Sequence, residues 1–240
     1  MGKKPAERKT VLEVAIEYIC FICIIVPVIM MTITMTGKAR LLIGSMAMGL
    51  FISLFSSELS GFILRELELD DMMYITTTLT PIIEEVLKAI PLMFYAFMVS
   101  KDRRTLMSVA FGIGVGFAVL ENIVILIRAV MSNPTSVSYL WAFVRGFGSG
   151  LMHAVTTMLI GVGLNFIGNK KKLILPGVFG LLAMAATYHA IYNAMVQTDL
   201  KYYGFVMPLI TYIALTPLIF HKDTDKKGKK KDSGGKEVTG

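Results

Sequence analysis

The chain has little cysteine, histidine, tryptophan or charge: two Cys, three His and one Trp in 240 residues, with 17% charged side chains. Each scarcity excludes something. Cys20 and Cys23 form a lone CxxC without a second pair, which excludes a disulfide framework or a four-thiolate zinc site; inside an apolar run they read as lipid-buried thiols. With 55% hydrophobic residues and a mean hydropathy of +0.66, the chain is too apolar for a water-soluble domain of this size. HExxH, GxSxG and the phosphate loop are all missing, and with them the zincin, nucleophile-elbow and P-loop classes. Repeated halves and paired broken helices are not visible either, which argues against an inverted-repeat transporter. The opening "MGKKPA" lacks the hydroxyl residue of a myristoylation signal, and Asn133 is followed by Pro134, so neither lipidation nor N-glycosylation is expected.

What the chain does have is long apolar runs. A helix needs ~20 largely apolar residues to cross the hydrocarbon, and such runs lie near 11–35, 41–64, 78–99, 105–130, 139–165, 173–197 and 204–220. The fold class they imply is all-α: a polytopic membrane bundle of about seven helices in one domain, residues 1–220. Residues 221–240 form a solvated, lysine-rich tail with almost nothing apolar to bury. The first run is too long for a signal-peptide core and is read as a retained helix. The basic connectors "GKAR", "KDRR" and "NKKK" fall on one side together with the tail, so that side, and the C-terminus, are expected to be cytoplasmic. Lys3, Lys4, Arg8 and Lys9 oppose the outside position that seven crossings give the amino end. The pI near 9.3 thus reports membrane orientation and not nucleic-acid binding. Gly112 with Gly116, and Gly146 with Gly150, form small-xxx-small pairs that predict close helix approach.

Against this background a few polar residues stand out, because an ionisable group at mid-membrane costs ~2.5–3.5 kcal/mol on insertion scales and is usually paired and functional. "TPIIEEVLKAIP" carries Glu84, Glu85 and Lys88; "FAVLEN" carries Glu121 and Asn122; "HAVTT" carries His153 and Thr157; "HAIYN" carries His189 and Asn193. Each has a partner four residues away on one helical face: Glu84 with Lys88, Phe117 with Glu121, His153 with Thr157, His189 with Asn193. With the basic loops inside, Glu84, Glu121, His153 and His189 all fall at similar depth in the outer half of the bilayer. Thr80 is expected to cap the third span with Pro81 in its first turn, which sets the two glutamates near the positive end of that helix dipole. Pro91 cannot donate to the Leu87 carbonyl, and a kink is expected there. Glu13, Glu17, Glu58, Arg65, Arg128 and Arg145 lie nearer helix ends and are read as reaching for headgroups.

Carboxylates and imidazoles together can activate a water and protonate a leaving amine, as peptide hydrolysis requires. The same residues also suit a zinc site or a proton relay. Taken in order on successive helices, EExxK, FxxxEN, HxxxT and HxxxN resemble the motif set of the PrsW family of intramembrane proteases, relatives of CAAX prenyl-protein endopeptidases and bacteriocin-processing enzymes; the motif core runs from Thr80 to Asn193. The resemblance implies a glutamate-dependent endopeptidase of a bacterial cytoplasmic membrane. It would cut single-span proteins near their extracytoplasmic boundary, as in site-1 cleavage of an anti-sigma factor. Carried over by motif, Glu84 is the base that activates water and Glu85 positions the site. His153 and His189 orient water or protonate the leaving group, and Asn193 donates to the oxyanion. Glu121 stands where the CAAX-type relatives carry histidine and is assigned a supporting role with Asn122, Lys88 and Thr157. Lys88 is read equally as an ion-pair orienter and as a structural salt bridge. No cofactor is required by this reading; were zinc used, its ligands would come from His153, His189, Glu84 and Glu121.

Overall fold

The structure, a computed structural model, describes residues 18, 21–22, 24–26, 28–133, 138–168 and 170–220. Among them there is no strand, and six helices of 15 residues or more carry the fold. These are α1 (Gly37–Glu66), α2 (Thr80–Met98), α3 (Arg103–Ser132), α4 (Tyr139–Ile167), α5 (Ile174–Val196) and α6 (Val206–Phe220). The described residues between 18 and 34 are also helical, with Phe21 and Ile25 buried against Leu50, Leu120 and Val124. Cys20, Cys23 and the tail 221–240 lie outside the described residues.

Four helices, α1, α3, α4 and α5, are long and apolar enough to cross a bilayer. The other two match the runs near 78–99 and 204–220 but differ for local reasons. Glu84, Glu85 and Lys88 interrupt the apolar character of α2, and α6 has only 15 residues.

Sequence chemistry accounts for the helix starts. Asp102 caps α3 by accepting from the Thr105 N–H, and Ser138 caps α4 by accepting from the Trp141 N–H. Thr80 does not cap α2. Its backbone is already helical, because a turn at Met72–Tyr74, capped by Asp71, runs through a π-helical stretch Ile75–Leu79 into α2. The helix therefore begins well ahead of Glu84 and Glu85, and the expected help from a nearby dipole end is reduced. The π stretch ends where Pro81 enters the helix without an N–H to give to the preceding turn. α2 then continues through Pro91 to Met98.

α3 is the central helix, packed between α1 and α4. A Cβ added at Gly112 would stand 2.8 Å from Ser45 Oγ, and one at Gly116 2.8 Å from Met46 Cα, so this pair does mark a close crossing with α1. Gly146 and Gly150 do not mark one: nothing lies within 4 Å of a Cβ at either. The tightest glycine contact between α3 and α4 is at Gly114, whose Cβ would stand 2.7 Å from Ala154 Cα.

Candidate active site

Three helices contribute charged or imidazole side chains to one buried cluster, and the loss of hydration is offset by mutual bonding. From α2, Glu85 and Lys88 are 0% exposed and Glu84 is 6% exposed. α4 supplies His153 at 0% and α5 supplies His189 at 1%, with Glu121 of α3 beside them at the edge. The expected Glu84–Lys88 pair is not formed. Lys88 Nζ instead reaches Glu85 Oε1 at 2.6 Å, His153 Nδ1 at 3.0 Å and Thr156 Oγ1 at 3.5 Å. Glu85 Oε1 also meets His189 Nδ1 at 2.8 Å and accepts from Thr156 Oγ1 at 3.2 Å. Glu84 is left facing the site: its Oε2 has no hydrogen-bond partner and lies 3.8 Å from His189 Nε2. Glu85 Oε2 is likewise without a protein partner, but of the two glutamates only Glu84 lines the cavity described below.

Glu121 gathers a second set of bonds. Its Oε2 lies 2.7 Å from His153 Nε2 and accepts from Ser149 Oγ at 3.2 Å, while Oε1 pairs with Arg145 Nη2 at 3.1 Å. Arg145, Ser149 and His153 are spaced at four-residue intervals along one face of α4, so a single carboxylate from α3 reaches all three. Arg145 therefore does not reach for a headgroup, as its place near a helix end suggested. The missed signal was that same four-residue spacing ahead of His153. Aromatic packing holds the cluster: the Phe117 ring lies 4.8 Å from that of His153, the two imidazoles are edge-to-face at 4.9 Å, and Lys88 Nζ sits 5.0 Å from the Phe117 centroid.

Other residues expected at the site stand elsewhere. Thr157 turns back to the His153 carbonyl of its own helix at 2.8 Å, and its neighbour Thr156 enters the cluster instead. The structure gives Asn122 no contact with the cluster, and its Oδ1 is buried without a partner. Asn193 spends one amide N–H on the Thr76 carbonyl at 2.9 Å, in the π stretch where Pro81 withholds a donor. That bond braces α2 against α5 and competes with the oxyanion role.

Above Glu84 opens a cavity of about 530 Å³, within the range of sites that hold a ligand. Ser53, Ser56, Ser57 and Ser60 of α1 form one polar wall; Thr76, Thr80, Glu121, Arg128, Arg145 and Asn193 face it. Its lining reaches the helix ends near Met72 and Gln197, opposite the basic connectors at Lys38–Arg40 and Lys101–Arg104. Pro91, where a kink was expected, borders a mostly apolar groove with Met48, Phe94 and Ile113.

Donor atoms of Glu84, His153 and His189 lie within 4.8 Å of one another, a grouping able to hold a metal ion. Glu84 Oε2 and His189 Nε2 are open for that purpose, whereas both His153 nitrogens are engaged, by Lys88 and by Glu121. The set thus fits a metal with two open donors and a third available if His153 Nε2 leaves Glu121.

No curated protein and no solved structure matches the chain. The model of the PrsW family intramembrane metalloproteases matches residues 37–219, from the start of α1 almost to the end of α6. A match over well more than half the chain, covering every residue of the buried cluster, places this multi-pass membrane protein in the PrsW family of intramembrane proteases.

Proposed function

We propose that the protein is an endopeptidase in which Glu84 activates a water for attack on a peptide bond of a membrane-anchored substrate. The observation that carries this is the unpartnered Glu84 Oε2, buried, on a residue that lines the cavity, and 3.8 Å from His189 Nε2. A water beside both atoms gives a proton to Glu84 as its oxygen attacks the scissile carbonyl carbon, and His189 Nε2 orients it by accepting its second O–H. The resulting oxyanion takes hydrogen bonds from Arg145, whose Nε is buried without a partner, and from the second amide N–H of Asn193. As the carbonyl reforms, the C–N bond breaks and the amine leaves with the proton held on Glu84. Glu85, Lys88 and Glu121 hold the histidines in place.

A metal-dependent form of the same reaction is supported by the donor set of Glu84, His189 and His153. When bound, a zinc ion there supplies Lewis-acid polarisation of the carbonyl and a more acidic water.

The position of the cavity, away from the basic connectors, supports cleavage near the extracytoplasmic boundary of a bacterial cytoplasmic membrane. Single-span substrates of the anti-sigma-factor type suit that geometry. The test is cleavage of such reporters in proteoliposomes by the parent and by Glu84→Gln. Loss of a general base lowers the rate ~10²–10⁴-fold; an unchanged rate in Glu84→Gln rejects the assignment. Inhibition by a chelator, reversed by zinc, favours the metal-dependent form, and indifference to the chelator favours Glu84 acting on water alone.

A further inference from the structure

The two histidines are held by two carboxylates and one lysine in a way that decides which ring nitrogen of each carries hydrogen. An ammonium has three N–H donors and no lone pair, so any ring nitrogen bonded to it must accept. Lys88 Nζ lies 3.0 Å from His153 Nδ1, which is therefore bare, and the hydrogen of that ring sits on Nε2, donated to Glu121 Oε2 at 2.7 Å. The other end of the chain of bonds gives the opposite result. Glu85 Oε1 accepts from Lys88 at 2.6 Å and, as a carboxylate oxygen, can only accept from His189 Nδ1 at 2.8 Å. Hydrogen on His189 Nδ1 leaves Nε2 bare, and Nε2 is the atom that faces Glu84. Ring flips that would exchange these roles are opposed by the edge-to-face packing of the imidazoles and by Phe117 against His153.

We propose that Glu85, Lys88 and Glu121 are positioning residues that lock His153 and His189 in opposite tautomers, His189 through Glu85 and His153 through Lys88 and Glu121 together. His189 becomes the histidine that offers a lone pair toward Glu84, and His153 becomes a further positioning residue with both nitrogens occupied. The catalytic meaning rests on the proposed role of Glu84, but the tautomers do not. They exist in the resting protein and are measured without substrate, so a protein that cuts no reporter counts against the protease reading alone.

The experiment is nitrogen-15 magnetic resonance of the full chain labelled at histidine, in bilayers near neutral pH. Only three histidines are present, and a His221→Ala variant identifies the tail signal. The expected parent spectrum has a bare Nδ1 and protonated Nε2 for His153, and the reverse for His189. In Glu85→Leu the His189 signals move toward the averaged values of a ring exchanging between tautomers, and in Lys88→Met, where Glu121 still accepts from His153 Nε2, the His153 pattern persists. A parent spectrum with hydrogen on His153 Nδ1, or with both rings in the same tautomer, overturns the proposal whether or not the variants fold. So does a folded Glu85→Leu whose His189 signals match the parent, or a folded Lys88→Met in which the His153 hydrogen leaves Nε2.

Discussion

Alanine at position 114 probes whether the contact between α3 and α4 sets the active-site geometry. A Cβ there would stand 2.7 Å from both Ala154 Cα and the His153 carbonyl carbon, and nearer still to the His153 carbonyl oxygen. Carbon atoms rest at ~3.5–4.0 Å, so the helices must part by roughly 1 Å. Overpacking of this kind costs ~1–3 kcal/mol. At ~2–4 °C per kcal/mol for a chain of this length, the melting temperature should fall by ~2–12 °C. The effect on chemistry should be larger, because the atoms pushed belong to His153 itself and a 1 Å misplacement costs ~10²-fold in rate. Thermal unfolding of detergent-solubilised protein and reporter cleavage in proteoliposomes measure the two effects separately. Gly146→Ala and Gly150→Ala are the controls, since a Cβ at either meets nothing within 4 Å. If Gly114→Ala melts with the parent and cuts at the parent rate, the inference from helix proximity to site geometry is refuted.

Thr156→Val removes a hydroxyl that bonds Glu85 and Lys88, and the cleavage rate should fall ~5–10-fold, the value of about one hydrogen bond. Thr157→Val loses only a bond to its own helix backbone and should stay within ~2-fold of the parent rate. Glu121→Gln keeps the shape but removes the charge that pairs with Arg145; kcat should fall at least ~10-fold with a smaller change in KM, read from a substrate titration. Asn193→Ala leaves the Thr76 carbonyl without its donor and should cost ~1–3 kcal/mol, seen as a lower melting temperature; Asn193→Asp, which cannot donate when ionised, should behave alike.

Membrane class, helix positions and the identity of the motif-bearing helices are legible in the sequence. Apolar length and the cost of a charge in hydrocarbon are local properties, written in windows of ~20 residues. That Glu84, Glu85, Glu121, His153 and His189 meet is also inferable, since loop charges set helix direction and direction sets depth. Partner choice is not. Four-residue spacing matches Lys88 to Glu84, yet Lys88 bonds Glu85 three residues away and His153 on another helix.

The reason is rotational. Adjacent helical residues point ~100° apart, so whether Thr156 or Thr157 enters the cluster depends on how α4 is turned against α2, and the spacing within α4 does not contain that angle. The π stretch at Ile75–Leu79 shifts the register of the residues before Thr80 against those after it, which moves the helix start away from the glutamates. Arg145 and Asn193 obey the same rule: each takes a partly buried partner from a neighbouring helix, Glu121 in one case and the Thr76 carbonyl in the other. By itself the sequence determined the membrane class and which polar residues the apolar helices carry, because hydropathy and charge cost belong to single segments. Only the tertiary structure decided which atoms of those residues bond one another and which, Glu84 Oε2 above all, are left open, because that depends on the angle at which packed helices face each other.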